Sequence, residues 1–224
     1  MSCRKLAALG ALFFVLPLAR AGAIVELSAE ASRPANNDQI RAVVYAEANA
    51  ATPGEVAQRV NQDIGAALHL IKSQPAIAVK SGNQQTYPVY GNSRKIEGWR
   101  MRSELILETR DSAVIAELLA RLQQIRLALG NVSQSPAAAT RQAVETAVTR
   151  DAIKAFESRA TVVAETLGKS YRIKRLSIQQ GGGMPPQPML RASMAMAADA
   201  APVPLESGES LITTTVSGEI ELAD

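Results

Sequence analysis

The chain has 224 residues, of which 24 are basic, 21 acidic, one a cysteine and one a histidine. With Cys3 the only thiol and His69 the only imidazole, a disulfide framework and any two-histidine metal motif are excluded. The formal net charge of +3 is not spread along the chain, because much of the excess sits at the start.

Arg4-Lys5, the apolar run Leu6 to Leu18 and then Ala19-Arg20-Ala21 follow the charged, apolar and small-residue order of a secretory signal peptide, with cleavage expected after Ala21. The apolar run is shorter than the ~20 residues that a bilayer-spanning helix needs. Cys3 precedes that run, so it is not placed to become a lipidated first residue. Cleavage would remove Arg4, Lys5 and Arg20 and leave 21 basic against 21 acidic residues. A mature chain over 22–224 is then formally neutral, and binding to nucleic acid through bulk charge is not expected.

From Ile24 the sequence predicts two short antiparallel strands, Ile24 to Glu30 and Ile40 to Ala48, around a turn at Arg33 to Asp38. In the second, Ile40, Ala42, Val44 and Ala46 alternate with Arg41, Tyr45 and Glu47, as in a half-buried strand. Thr52-Pro53-Gly54-Glu55 is a capping box with proline at the first helical position. The helix it opens carries Val56, Val60, Ile64, Ala67, Leu68 and Ile71 at three- and four-residue steps and should end near Ser73-Gln74-Pro75.

A strand pair follows over 77–90 and 94–109, joined by Gly91-Asn92-Ser93. Asp111 can cap a second helix with Val114, Leu118, Leu122 and Ile125 along one side. Gly130-Asn131 marks its exit or an adjacent turn, with a short strand over about 127–134. Ser135-Pro136 opens an alanine-rich helix that closes at Gly168 and turns Val144, Val148, Ala152, Ala155, Phe156 and Val163 to one side. Tyr171 to Gln179 reads as a strand, and Leu205 to Leu222 as a final strand or hairpin. Between them, a Gly-, Pro-, Met- and Ala-rich stretch over about 181–204 has neither period and is expected to be a long loop.

The chemistry on offer is sparse. Any histidine general base must be His69, which projects away from the Val56, Val60, Ala67 stripe and reads as a surface residue. Gly181-Gly182-Gly183 lacks the Gly-Lys-Ser/Thr of a phosphate loop, and Glu104 and Glu108 alternate along a strand as a solvated face would. No catalytic residue, metal site or cofactor is therefore assigned, and a non-enzymatic protein is expected. A lone tryptophan after glycine, Trp99, is foremost a core or interface anchor. With Tyr87 and Tyr90 on the facing strand, it could also help line a ligand pocket.

Tyr87-Pro88-Val89-Tyr90 leads into Arg94-Lys95-Ile96-Glu97-Gly98-Trp99-Arg100-Met101-Arg102, with Arg110-Asp111 before a helix. In this the chain resembles the SIMPL-domain family of exported bacterial proteins. The helix Arg141 to Gly168 leading into Tyr171 to Gln179, and Leu205 to Glu209 before the last strand, agree with it. One departure is Asn37-Asp38, where the family commonly has Pro-Asp. The resemblance implies a periplasmic or cell-envelope location, self-assembly into homo-oligomers and an association with oxidative-stress defence, and it carries over no catalytic residue. The expectation is thus an α+β protein of antiparallel sheets and packed helices, in the order ββαββαβαββ. Its preferred role is that of an oligomeric envelope protein. The alternatives are a small-molecule or peptide-binding module at Tyr87, Tyr90 and Trp99, and a hydrolase using scattered carboxylates.

Overall fold

The computed structural model describes residues 22–91, 94–181 and 208–223. The expected signal segment 1–21, and the expected loop beyond Gly181, lie outside the described residues. The elements are β1 (Ile24–Asn36), β2 (Gln39–Ala50), α1 (Pro53–Lys72), β3 (Ala78–Tyr90), β4 (Ile96–Thr109), α2 (Ser112–Gln124), β5 (Ala128–Ser135), α3 (Ala138–Thr166), β6 (Ser170–Gly181) and β7 (Glu209–Ala223). This is the ββαββαβαββ order of an α+β fold.

Two antiparallel sheets result. One has the order β3-β4-β2-β5, the other β1-β7-β6. The first two strands do not pair as expected: β1 runs on through the expected turn to Asn36 and pairs with β7, joining the two ends of the described chain, with Ile24 opposite Glu221 and Asn36 opposite Glu209. Its register makes the last segment a single strand rather than a hairpin.

Alternation decides what each sheet buries. On β4 the buried Met101, Ser103, Leu105 and Leu107 alternate with half-buried residues, and on β2 Ile40, Ala42, Val44 and Ala46 face the same way. Against that face lie α1, through Val56, Val60, Ala67 and Ile71, and α2, through Ile115, Leu118, Leu119 and Leu122. In α2 the buried stripe centres on Ile115 and Leu119, so Val114 and Ile125 stand at its margin rather than in it. The smaller sheet packs on α3. There Ala152, Phe156, Ala160 and Ala164 meet Ala29, Val216 and Ile220, and the alanines let helix and sheet approach closely.

The caps follow the sequence. Thr52 Oγ1 accepts from Glu55 N–H at 3.3 Å, and Asp111 Oδ1 accepts from Ala113 and Val114 N–H, each at 3.0 Å. Gly168 takes φ +64 after α3, the left-handed geometry that ends a helix. Gly130 does something different from the turn its sequence suggests. The exit from α2 falls at Arg126, with φ +73, and Gly130 is instead the extra residue of a bulge, because Val43 pairs with Asn131 and Val44 with Leu129.

Candidate functional site

The outer face of the four-stranded sheet is polar. β4 presents Arg100, Arg102, Glu104 and Glu108 there, and β2 presents Tyr45, Glu47 and Asn49. A bulge in β3 completes the face. Ser81 pairs with Leu105 but Gln84 with Ser103, so Gly82 and Asn83 together oppose Glu104. The extra residue shifts the alternation by one and brings Asn83, Gln85 and Tyr87 to the side of Arg102. Gly82 is required at that bend, since a Cβ on it would stand 2.9 Å from the Cβ of Glu104.

Arg102 is the centre of this surface. Its guanidinium carbon lies 3.5 Å from the centroid of the Tyr45 ring, and its Nη2 lies 2.9 Å from Glu104 Oε1. A carboxylate and a π-face thus hold the cation from two directions. Nearby, Arg100 Nε donates to Asn49 Oδ1 at 2.8 Å and stands 3.8 Å from Glu47. The result is a recess of about 280 Å³ lined by Glu47, Asn83, Gln85, Tyr87, Arg102 and Glu104. Its walls offer amide, carboxylate, phenol and guanidinium groups, which suits hydrogen bonding to a small polar molecule. His69, exposed on α1, belongs to the opposite side of the sheet. Among the described residues no group of three or more His, Cys, Asp or Glu is placed to hold a metal ion.

The three residues expected to share a pocket do not share a face. Tyr87 pairs with Arg100 and Pro88 with Trp99, so Trp99 is one step out of phase with Tyr87. Trp99 turns inward and packs with Ala50, Val56, Val60 and Met101, whereas Tyr87 lines the outer recess. Tyr90 is 62% exposed at the end of β3, beyond a register shift, and is not among the residues lining the recess. Of these three, Tyr87 alone lines the recess, together with Arg102, which stacks on Tyr45. Sequence alternation placed Tyr45 on β2, and Glu104 and Glu108 on β4, outward. What it could not show was the bulge that turns β3 toward them.

A second, wider cleft of about 990 Å³ runs between the Pro75–Ala78 segment, the Glu108–Ser112 segment and the start of α3 at Ala137. Beside it Asp38 makes the long-range connection that sequence reading assigned only to a turn. Its Oδ1 accepts from Ala137 N–H at 2.7 Å and its Oδ2 from Thr140 Oγ1 at 2.8 Å, with Arg110 at 3.7 Å. The Ala137 N–H, then the Thr140 hydroxyl, hold the Asp38 carboxyl below its ordinary value of 3.8. Ala137 has no side chain to cap α3, and Asp38 serves from across the fold. A cap supplied from 99 residues away leaves no local sequence signal.

A family model named SIMPL and described as a protein of unknown function (DUF541) matches residues 25–220. The chain belongs to the SIMPL family. A comparison with curated proteins finds no match. Among solved structures, an amidase of the hydantoinase/carbamoylase family from Burkholderia vietnamiensis is 17% identical, with 46% of this chain and 28% of that chain covered and a TM-score of 0.27. A member of the same amidase family from Burkholderia multivorans is 17% identical, with 48% of this chain and 28% of that one covered, again at 0.27. The SIMPL chain thus spans less than a third of either, and likenesses at that score carry nothing further.

Proposed function

We propose that this SIMPL protein is a non-enzymatic, exported cell-envelope protein that works as a homo-oligomer, with a role in stress defence. The observation that supports assembly is an uncovered apolar row on β6. Ile173, Leu176 and Ile178 pair with Ile220, Gly218 and Val216, whose face is the one α3 covers, yet they remain 43%, 38% and 44% exposed. Helix α3 lies over β1 and β7 and leaves this row open to a partner. Export is supported by the leader pattern at 1–21 and by the habit of the family. Light scattering on residues 22–224 across a concentration range tests the reading. A discrete mass that does not change with concentration is expected, and a monomer at all concentrations would overturn it.

The recess around Arg102 favours a second reading, a periplasmic module for a small polar ligand or peptide. Here Tyr87 is the only one of the three expected aromatic residues to contribute. A thermal-shift screen against polar metabolites and short peptides tests it, with Arg102→Ala as the control. A ligand whose shift vanishes in R102A supports the module, and a screen without such a ligand removes it.

A further inference from the structure

Among the described residues the three-stranded sheet has two unpaired edges of opposite character. β6 carries Arg172, Lys174 and Arg175, while β1 carries exposed Glu26 and Glu30, neither ion-paired among the described residues. Both strands run antiparallel to β7, so they are parallel to each other, and their shared β7 partners show which residues lie level. Val25 and Ile173 both oppose Ile220; Leu27 and Leu176 oppose Gly218; Ala29 and Ile178 oppose Val216. On the other face Glu26 and Arg175 oppose Glu219, Ser28 and Ser177 oppose Ser217, and Glu30 and Gln179 oppose Thr215.

We propose that β6 of one copy pairs in parallel with β1 of the next, at this same level, so that the sheet continues head to tail through an assembly of identical chains. The inference rests on the homo-oligomeric reading above and names its interface.

Charge, shape and edge chemistry support this pairing. In a single copy Arg175 pairs with Glu219, and Arg172 and Lys174 with Glu221, whereas Glu26 sits directly opposite Glu219 with no cation of its own among the described residues. Joining copies at one level sets Arg175 beside the next copy's Glu26, so that along the row this cation lies between two acidic groups, its own copy's Glu219 and the next copy's Glu26. On the inner face, a recess of about 350 Å³ lies between the β1 edge and α3, lined by Ser28, Ala29, Glu30, Ala155 and Arg159. Ile178 of the preceding copy, level with Ala29, is placed to fill it and so loses its exposure. Arg159 donates to the Ser28 carbonyl at this edge, but a carbonyl oxygen has a second acceptor position. The bulge at Lys174 and the charges around it guard β6 against a like strand, and the uncharged stretch from Leu176 to Gly181 is left to pair. A head-to-tail contact of this kind closes into a ring or continues as a filament.

Cysteine cross-linking decides it, using the full chain expressed for export with its only cysteine removed by Cys3→Ser. Ser28 and Ser177 flank Ser217 within one copy, about 9.6 Å apart by strand spacing, too far for a disulfide inside the chain. Across the proposed contact they become neighbours at about 4.8 Å. The Ser28→Cys, Ser177→Cys double variant should give a ladder of covalent multimers under mild oxidation, and each single variant should give none. Ile178→Lys should reduce the native mass to that of one protomer without loss of circular dichroism. Disulfide dimers from Ser177→Cys alone would show β6 paired with β6 and overturn the proposal. An oligomer by light scattering that yields no ladder would overturn this interface while sparing the assembly reading. A monomeric wild-type chain would overturn both.

Discussion

Gly218 lies under the ring of Phe156: a Cβ built on the glycine would stand 3.1 Å from Phe156 Cζ and would run into the carbonyl oxygen of Arg175. Phe156 is fully buried and has no free space to retreat into, and moving the Arg175 carbonyl away would pull β6 from its pairing with β7. One methyl group there should therefore act as overpacking. Gly218→Ala is expected to destabilise the protein by about 1–3 kcal/mol. A urea melt that places its midpoint at or above that of the wild type would refute the close contact.

Much of this fold was legible because its signals are local. Thr52 and Asp111 announce their helices, and the alternation of Met101, Leu105 and Leu107 with Arg102 and Glu104 sorts β4 into two faces. What escaped is non-local. The bulge at Gly82 and Asn83 depends on how β3 is registered against β4, and the strand pattern of β3 looks continuous across it. Tyr87 and Trp99 consequently read as neighbours, being on facing strands, although one step of register puts them on opposite sides. Gly130 gave a correct signal with the wrong meaning, since a glycine serves a bulge as well as a turn.

The Asp38 carboxylate gives acid sensitivity of a definite sign. Its folded pKa is lowered, chiefly by the Ala137 N–H and then by Thr140. Its contribution is therefore fully present above the ordinary value of 3.8 and is lost as pH falls through the lower folded value. Asp38→Asn should be less stable than wild type at neutral pH, and the gap should close on acidification below 3.8. Glu221, lowered by its bond to Arg172, titrates in both proteins and cancels in the comparison. Urea midpoints of the two proteins over a pH series provide the check; a gap that stays constant or widens in acid would contradict the assignment.

Asn37, the departure from the Pro-Asp expected of the family, is tied to β7 and to the residue just before it. Its N–H donates to Gly208 O at 2.9 Å, and its Oδ1 accepts from Ser210 Oγ at 2.7 Å. Ser210 is only 3% exposed, so removing the acceptor leaves a buried hydroxyl without its partner. Asn37→Ala should cost about 1–3 kcal/mol. The Asn37→Ala, Ser210→Ala double variant should recover part of that loss, because the orphaned donor is gone as well. Strictly additive losses in denaturant melts would show that the two side chains are not coupled.

The single tryptophan reports on one side of the four-stranded sheet and not the other. Trp99 packs with Val56, Val60 and Met101, so its emission should follow the packing of α1 on β2 and β4. Val60→Ala removes fully buried methyl groups next to it and should shift the emission maximum to the red, along with a loss of stability of about 1–3 kcal/mol. Arg102→Ala changes the opposite face, where Arg102 touches Tyr45 and Glu104, and should leave the emission maximum where it is. Steady-state fluorescence of the two variants separates the faces directly. Should Arg102→Ala move the maximum as far as Val60→Ala does, Trp99 and the recess would have to communicate through the strand, and ligand titrations could then be followed by tryptophan emission after all.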